Sequence, residues 1–326
     1  MEKVARFQKL VESALTSINS KKSPAELYEP VSYFMSLGGK RMRPVLTLLA
    51  CDLFGGKEDN AINAAIAIEL FHNFTLVHDD IMDNAPVRRG KTTVHEKWNT
   101  NIAILSGDVI MVKAYEELCK SNTEVLPRIL EVFNSTAIEV CEGQQLDMNF
   151  EELDAVSIDD YINMIKLKTS VLLAGSLKIG ALLGGATEKE SDKLYEFGKN
   201  IGIAFQLQDD ILDVFGEKAK VGKQVGGDIV ANKKTFLLLK ALELAKEKPS
   251  LLNELNSWMK GEDVSLDDKV GAVTNIFMQL DVQRLAKLEM DKYYKKALVM
   301  LDSVDVPKSK KQDLLSLADN LMQRDY

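Results

Sequence analysis

The sequence predicts an all-α protein, a single large helical bundle with a central cavity. Apolar residues recur at helical spacing along nearly all of the 326 residues, and only seven prolines interrupt them. Few stretches show the apolar–polar alternation of a half-buried strand. No low-complexity tract, solenoid repeat or long linker divides the chain, so we expect one domain spanning residues 1–326.

Glycine and proline residues mark the ends of the predicted helices. These helices cover about residues 2–19, 24–37, 44–54, 59–84, 101–121, 124–150, 157–183, 188–216, 233–247, 266–302 and 307–323. Gly38-Gly39 and Pro86 are the clearest breaks. The stretch 217–232, rich in glycine and lysine, is predicted to be a loop.

The composition narrows the class of protein and its compartment. With 46% hydrophobic and 28% charged residues, it is typical of a soluble globular protein. A net charge of −8 disfavours nucleic acid as the main partner. The N-terminus has no long apolar core of the signal-peptide kind, and no apolar run approaches the roughly 20 residues of a membrane span. Cys51, Cys119 and Cys141 are too scattered for a disulfide framework and are expected to be buried thiols in a cytoplasmic protein.

Two acidic motifs, Val77-His-Asp-Asp-Ile-Met-Asp83 and Gln206-Leu-Gln-Asp-Asp-Ile-Leu-Asp213, lie in apolar, helix-periodic segments. The first and last aspartates of each motif are four residues apart and therefore share a helix face, where like charges repel. One such motif alone would be an ordinary solvated face. Two motifs indicate compensating cations, and carboxylate clusters suit Mg²⁺ bound together with substrate phosphates. The predicted metal ligands are Asp79, Asp80, Asp83, Asp209, Asp210 and Asp213.

Basic motifs accompany the aspartates. Gly38-Gly39-Lys40-Arg41-Met42-Arg43-Pro44 combines a flexible backbone with three cations at the start of a helix, a setting that favours phosphate. Arg88-Arg89 follows the first aspartate motif, and Lys168 lies inside an apolar helix. The predicted loop and its end contribute Lys223 and Lys233. Taken together, these cations predict two anionic ligands.

These motifs, in this order and spacing, resemble those of the trans-isoprenyl diphosphate synthases, or polyprenyl synthetases. The resemblance runs from Gly38 to about Lys240. It also includes GQQLD at 143–147, LKT at 167–169, Gly222-Lys223 and Asn232-Lys233. It implies the type I isoprenoid synthase fold and a homodimer. Arg324 is the one basic residue among the last ten, so the strongly basic tail of some members is reduced here.

The resemblance implies a role for each matching position. Three Mg²⁺ ions held by the six aspartates would bind an allylic diphosphate (dimethylallyl, geranyl or farnesyl), helped by Arg88, Lys168, Gln206, Lys223 and Lys233. Isopentenyl diphosphate would bind Lys40, Arg43, His72 and Arg89. Thr169, Gln144 and Asp147 would either line the cavity near the developing carbocation or lie behind the residues that contact it. The implied reaction is ionisation, condensation and elimination, extending the chain by five carbons.

Product length can be argued from helix geometry. Thr75, Phe74 and Phe71 lie four, five and eight residues before Asp79, about one and two turns upstream at about 5.4 Å per turn. A prenyl tail growing along this face meets Phe74 and Phe71 as a floor, whereas Thr75 is small. In the family, some geranylgeranyl synthases have an aromatic residue five positions before the first aspartate but none four positions before it. This chain, with Phe74 and Thr75, resembles that pattern. We therefore expect a C15 or C20 product, with C20 favoured.

Three other functions compete with this prediction. A class I terpene cyclase shares the fold and one aspartate cluster but needs no second diphosphate site. A catalytically silent regulatory subunit could lose aspartates, and this chain retains all six. A metal-binding scaffold would leave the cations unexplained. The sequence leaves the allylic primer and the exact product length open.

Overall fold

The computed structural model describes residues 2–18, 22–153, 155–216, 226–261 and 265–322. Across these ranges the secondary structure is helical, apart from one hairpin in which β1 (Val87–Arg88) pairs antiparallel with β2 (Lys91–Thr92). The predicted all-α class is confirmed. The chain forms two compact units: residues 1–134, 175–195 and 304–314, and residues 135–174, 196–303 and 315–326. A single domain over residues 1–326 stays a prediction.

Unit 1 contains most of the N-terminal helices, and its central element is α4. Its complete helices are α1 (Glu2–Ile18), α2 (Ala25–Ser36), α3 (Met42–Leu53), α4 (Glu58–Met82), α5 (Val94–Lys97) and α6 (Thr100–Leu118). Residues 64–71 of α4 are all buried, so this helix is enclosed on every side in its middle. It packs chiefly on α6 and α3. Because α4 is enclosed and packed in this way, the aspartates at its C-terminal end have a fixed position.

Four helices contribute residues to both units: α7 (Leu126–Glu152), α9 (Val171–Leu183), α10 (Glu188–Phe215) and α16 (Lys308–Met322). Unit 2 adds α8 (Ile158–Ile165), a π-helical turn (Lys166–Ser170), α11 (Gly227–Val230), α12 (Phe236–Ala245), α13 (Pro249–Lys260), α14 (Leu266–Gln279) and α15 (Val282–Ser303). Its core gathers around the fully buried Leu207, Leu237, Ala241 and Val273. Burial of these apolar faces stabilises the unit.

Side-chain caps start several helices where the sequence supplies the right residue. Asn99 accepts a hydrogen bond from the backbone N–H of Ile102 at the start of α6. Ser157 and Asp160 form a reciprocal capping box at the start of α8. Such caps satisfy backbone donors that a helix leaves unpaired in its first turn.

Several predicted features differ in the structure. The helix predicted over 266–302 breaks at Leu280-Asp281, where Asp281 takes a left-handed conformation with φ of 54°. Within the predicted loop 217–232, residues 217–225 lie outside the described part of the chain, and α11 follows them. The prediction of three buried thiols was wrong for Cys119 and Cys141, which are exposed because they lie on the outward sides of α6's end and α7. No helix among the described residues is long and apolar enough to cross a bilayer.

Candidate active site

The first aspartate motif lies at the C-terminal end of α4. Asp79 and Asp80 lie in the last turn, and Asp83 is the C-cap, its backbone N–H donating to the carbonyl of Asp79. The C-terminus of a helix carries the negative end of the helix dipole. Three carboxylates at this end therefore concentrate negative charge, which favours a bound cation.

Asp80 differs from its neighbours because it is buried. It is 1% exposed, whereas Asp83 is exposed. Arg88 donates from Nε to Asp80 Oδ1 at 2.6 Å, and Oδ2 has no hydrogen-bond partner. Burial raises the pKa of the Asp80 carboxyl, although the nearby Arg88 lowers it. A buried carboxylate oxygen without a partner is a chemically suitable ligand for a hard cation.

A group of cations surrounds His72 on the same helix. Arg43 Nη1 lies 3.1 Å from His72 Nε2. Arginine can only donate, so Nε2 is the acceptor and His72 is neutral. Burial, together with the charges of Arg43, Arg89, Arg88 and Arg41, lowers the pKa of His72 well below its usual value. His72 therefore remains neutral at physiological pH and holds the Arg43 guanidinium in place.

Arg41 and Glu69 form a buried ion pair that the sequence analysis did not assign. Arg41 Nη1 donates to Glu69 Oε1 at 2.6 Å, and both side chains are buried. Arg41 adopts a left-handed backbone conformation with φ of 50°, and Asn73 also donates to Glu69. The available signal was a charged residue, Glu69, within the apolar run of α4. This pair fixes the backbone between Lys40 and Arg43.

Arg89 completes this basic group. Its Nη1 donates to the carbonyl of Gly38, whose φ of 74° is readily adopted only by glycine. Burial is the main reason that the pKa of Arg43 falls to about 10, and the charge of Arg89 lowers it further. Four arginines face two buried carboxylates here, those of Glu69 and Asp80. The excess positive charge makes this part of unit 1 suited to binding an anion.

The second aspartate motif lies near the C-terminal end of α10, as the first does in α4. Asp209 is exposed, Asp213 is half-buried and Asp210 is 3% exposed. Tyr161 donates from its hydroxyl to Asp210 Oδ2. Burial and the charge of Asp228 raise the pKa of Asp210 well above its usual value, and hydrogen bonds from Tyr161 and Gln206 oppose that rise. The middle aspartate is thus buried and held by other side chains in both motifs.

A polar network connects Asp210 to the predicted cavity residue Thr169. Thr169 Oγ1 donates to Gln206 Oε1 at 3.4 Å, and Gln206 Nε2 donates to Asp210 Oδ1 at 3.4 Å. Tyr161 joins at the other oxygen of Asp210. Tyr161 was missed by sequence reasoning because it lies 49 residues from Asp210.

Lys168 pairs with Asp147, with 2.5 Å between Nζ and Oδ2. Both it and Thr169 lie in the π-helical turn Lys166–Ser170, a form that often marks functional positions. Gly143 makes this arrangement possible, since a Cβ at this residue would lie 2.2 Å from the backbone nitrogen of Lys168. Gln144, the next residue of the motif, is 8% exposed. The GQQLD and LKT motifs therefore meet in unit 2.

The short helix α11 brings a further carboxylate to the second motif. The backbone N–H of Asp228 donates to Asp213 Oδ2 at 2.9 Å, and that of Gly226 donates to the Asp213 carbonyl at 2.7 Å. Lys233 follows on an exposed loop, its N–H donating to the Asp228 carbonyl at 2.9 Å. Lys223 was predicted to bind substrate and lies outside the described residues. Asp228 was not singled out, since it lies in no DDxxD motif.

The predicted chain-length residues lie on α4 within an aromatic group. Phe71 is fully buried and packs edge-on against Phe133, with ring centroids 5.4 Å apart. Phe74 is half-buried and lies 4.6 Å from the His78 ring. Thr75 donates to the carbonyl of His72 at 2.8 Å and adds little bulk. Of the two phenylalanines of the predicted floor, Phe74 is the nearer in sequence to Asp79.

Within the described part of the chain, no three histidine, cysteine, aspartate or glutamate side chains form a self-sufficient metal site. Mg²⁺ usually takes only one or two carboxylates, with waters and substrate phosphates completing its shell. The aspartate motifs fit that donor set better than a closed protein cage. The six predicted metal ligands stay predictions.

Solved structures define the class to which this fold and site belong. The chain is similar to the crystal structure of a geranylgeranyl pyrophosphate synthase, with a TM-score of 0.94 and 42% identity over 99% of both chains. It is also similar to the Corynebacterium glutamicum geranylgeranyl pyrophosphate synthase complexed with isoprenyl diphosphate and magnesium, with a TM-score of 0.84 and 27% identity over 99% of this chain and 97% of that one. The protein is therefore an all-α enzyme of the isoprenyl diphosphate synthase class.

The family follows from the sequence comparisons. The polyprenyl synthetase family model matches residues 24–275. A geranylgeranyl diphosphate synthase of Methanosarcina mazei is 38% identical over 97% of this chain and 95% of its own length. The chain belongs to the polyprenyl synthetase family. It is a prenyltransferase, as the resemblance of its motifs predicted.

Proposed function

We propose that the protein condenses an allylic diphosphate with isopentenyl diphosphate, in a Mg²⁺-dependent reaction, to give all-trans geranylgeranyl diphosphate as its main product. The observation that carries this proposal is the arginine group around His72, whose members lie outside the two aspartate motifs. A cyclase ionises one diphosphate and has no use for a second anion site. A chain-extending enzyme must hold two diphosphates.

The basic group of unit 1 is the proposed site of isopentenyl diphosphate. Lys40, Arg43, His72 and Arg89 are the proposed contacts. Neutral His72 orients Arg43, and the buried Arg41–Glu69 pair holds the backbone that carries Lys40. Prearranged guanidinium groups bind diphosphate oxygens at a smaller entropic cost than freely rotating side chains.

The aspartates are the proposed ligands of three Mg²⁺ ions on the allylic diphosphate. Arg88, Lys168, Gln206, Lys223 and Lys233 are the proposed direct contacts of that diphosphate. The unpartnered Asp80 Oδ2 and the all-oxygen donor set support this assignment. Bound Mg²⁺ would stabilise the negative charge that develops on the departing diphosphate.

In the proposed reaction, the C–O bond of the allylic substrate breaks, leaving an allylic carbocation and pyrophosphate. The double bond of isopentenyl diphosphate forms the new C–C bond, and a proton passes to pyrophosphate. The carbocation would be faced by oxygen atoms of Gln144, Asp147 and Thr169, while the pyrophosphate would be retained by Arg88, Lys168, Gln206, Lys223 and Lys233. The chain supplies positioning and charge rather than a nucleophile.

The decisive experiment is incubation of the purified protein with Mg²⁺, isopentenyl diphosphate and dimethylallyl, geranyl or farnesyl diphosphate. Chromatography of the products should give a C20 diphosphate as the main species. A cyclic hydrocarbon formed from a single allylic substrate would indicate a cyclase instead. Absence of turnover with all three primers would favour a silent subunit and contradict the proposal.

We also propose a homodimer that works in the cytoplasm. Support for the dimer comes from α6, where Ile104, Leu105 and Val112 are exposed apolar side chains. Leu105 and Val112 are seven residues apart and share one helix face. A row of apolar side chains on the surface is typical of a subunit interface.

A further inference from the structure

Lys269 is a buried lysine that no motif includes. It lies on α14 and is 4% exposed. Its Nζ donates to Asn232 Oδ1 at 2.6 Å and lies 3.5 Å from the carbonyl oxygen of Val230. Burial lowers the pKa of Lys269. Burying an ammonium group is costly, so these contacts have a strong structural or functional reason to exist.

Both contacts of Lys269 lie on the segment that carries Lys233. Val230 ends α11, and Asn232 directly precedes Lys233. Asn232 takes a left-handed conformation with φ of 53°. Its Nδ2 donates to the Met259 carbonyl at 3.2 Å, so the same side chain also joins α13.

Neighbouring contacts restrain the segment from other directions. Lys234 donates from Nζ to the carbonyls of Phe150 and Glu151. At the start of α11, the backbone N–H of Asp228 donates to Asp213. The exposed Lys233 therefore lies between two anchored neighbours, Asn232 and Lys234. Lys269, Lys234 and Asp213 are thus three side chains that restrain this segment. Among these three, Lys269 is the buried one.

We propose that Lys269 is a positioning residue that holds Lys233 where it binds the allylic diphosphate. Lys269 acts through Asn232 and does not touch the substrate. This inference rests on the proposed function, in which Lys233 is a diphosphate contact. A flexible lysine on an exposed loop loses conformational entropy when it binds, and an anchored backbone reduces that loss.

The first test replaces Lys269 by methionine, which keeps the length of the side chain and removes its charge and donors. We expect Lys269→Met to raise the KM for the allylic diphosphate about tenfold and to change the KM for isopentenyl diphosphate less than about twofold. Lys311→Met is the matched control, because Lys311 is also 4% exposed but lies on α16. A general loss of packing would affect both variants alike, and equal KM changes in the two would overturn the proposal.

A second measurement tests, without relying on activity, whether Lys269 restrains the segment that carries Lys233. Hydrogen exchange at the Lys233 amide, which donates to the Asp228 carbonyl, should be at least about tenfold faster in Lys269→Met than in wild type or Lys311→Met. Asn232→Gly should have the same effect on exchange and KM, since glycine adopts the left-handed conformation and the core is untouched. Unchanged exchange in either variant would overturn the proposal.

A double-mutant cycle separates positioning from a structural role. If Lys269 acts through Lys233, Lys269→Met should raise the allylic KM no further in a Lys233→Ala background. Additive effects would contradict the inference. A wild-type protein that forms no prenyl product would overturn the proposed function, whereas an active wild type with a normal Lys269→Met variant would overturn only the role of Lys269.

Discussion

Asp80 and Asp210 occupy equivalent places in their motifs and share an environment that the other aspartates lack. Each is buried, and Arg88 holds the first while Tyr161 and Gln206 hold the second. Asp83 and Asp209 are exposed. Asp83 and Asp209 are therefore accessible to metal ions carried by a substrate, whereas Asp80 and Asp210 are held in place by neighbouring side chains.

Asp79→Ala and Asp209→Ala should each lower kcat by at least about 100-fold at saturating Mg²⁺, because each removes a proposed carboxylate ligand of the Mg²⁺ that would stabilise the departing diphosphate. Steady-state assays with isopentenyl and geranyl diphosphate measure the kcat of each variant. Asp59→Ala is the control, since Asp59 is an exposed aspartate at the other end of α4. Near-normal rates for either cluster variant would show that the metal assignment is wrong.

His72 should make stability depend on pH. Its pKa is lowered in the folded protein, so below the unfolded value of about 6.5 the unfolded state binds more protons. The stability gained by keeping His72 neutral in the folded protein is fully present above that pH. As the pH falls, the free energy of unfolding decreases by at most about 1.4 kcal/mol per pH unit. Urea unfolding between pH 5 and 8 should show this loss in wild type and a smaller one in His72→Gln. Parallel curves would mean that His72 titrates normally.

At the scale of elements, α4 is the central support of unit 1 and the helix proposed to set the length of the product. Its enclosed middle holds residues 64–71, and its C-terminal turns carry Phe74, Thr75 and the first aspartates. A helix rises about 1.5 Å per residue, so each turn adds about 5.4 Å between the reacting end and the floor. The half-buried Phe74 and fully buried Phe71 are consistent with a floor of two layers.

Phe74→Ala should lengthen the main product beyond C20, because the next bulky side chain, Phe71, lies about one turn deeper. Thr75→Phe should shorten it towards C15. Chromatography of products from farnesyl and geranyl diphosphate measures both shifts. Phe54→Ala, which changes a half-buried phenylalanine at the end of α3, should leave the distribution unchanged. The same product from Phe74→Ala as from wild type would remove Phe74 as the floor.

At the scale of the whole molecule, the exposed side of α6 predicts self-association. Sedimentation should show a dimer for wild type and a shift towards monomer for Leu105→Glu/Val112→Glu, because a charge in an apolar interface is costly to desolvate. Leu288→Glu is a matched control, since Leu288 is 54% exposed and Leu105 is 57% exposed, on a different helix. A wild-type monomer, or dimers that tolerate the α6 changes, would contradict the proposal.

The extent of each helix was predictable where local signals decide it. The long helix expected over about residues 59–84 is Glu58–Met82, and the one expected over about 188–216 is Glu188–Phe215. Apolar periodicity and helix-breaking residues act over a few residues, so they can be recognised from the sequence alone. The break at Asp281 was missed because no glycine or proline marks it.

The sequence by itself determined the helical class, the placement of both aspartate motifs at helix ends and the resemblance that identified the family. Only the tertiary structure decided which side chains are partners: Arg41 with Glu69, Lys168 with Asp147, Tyr161 with Asp210, and Lys269 with Asn232. It also separated the buried Asp80 from the exposed Asp83. Helix periodicity is a local property of the chain, whereas burial and pairing depend on residues that are distant in sequence and meet only when the helices pack.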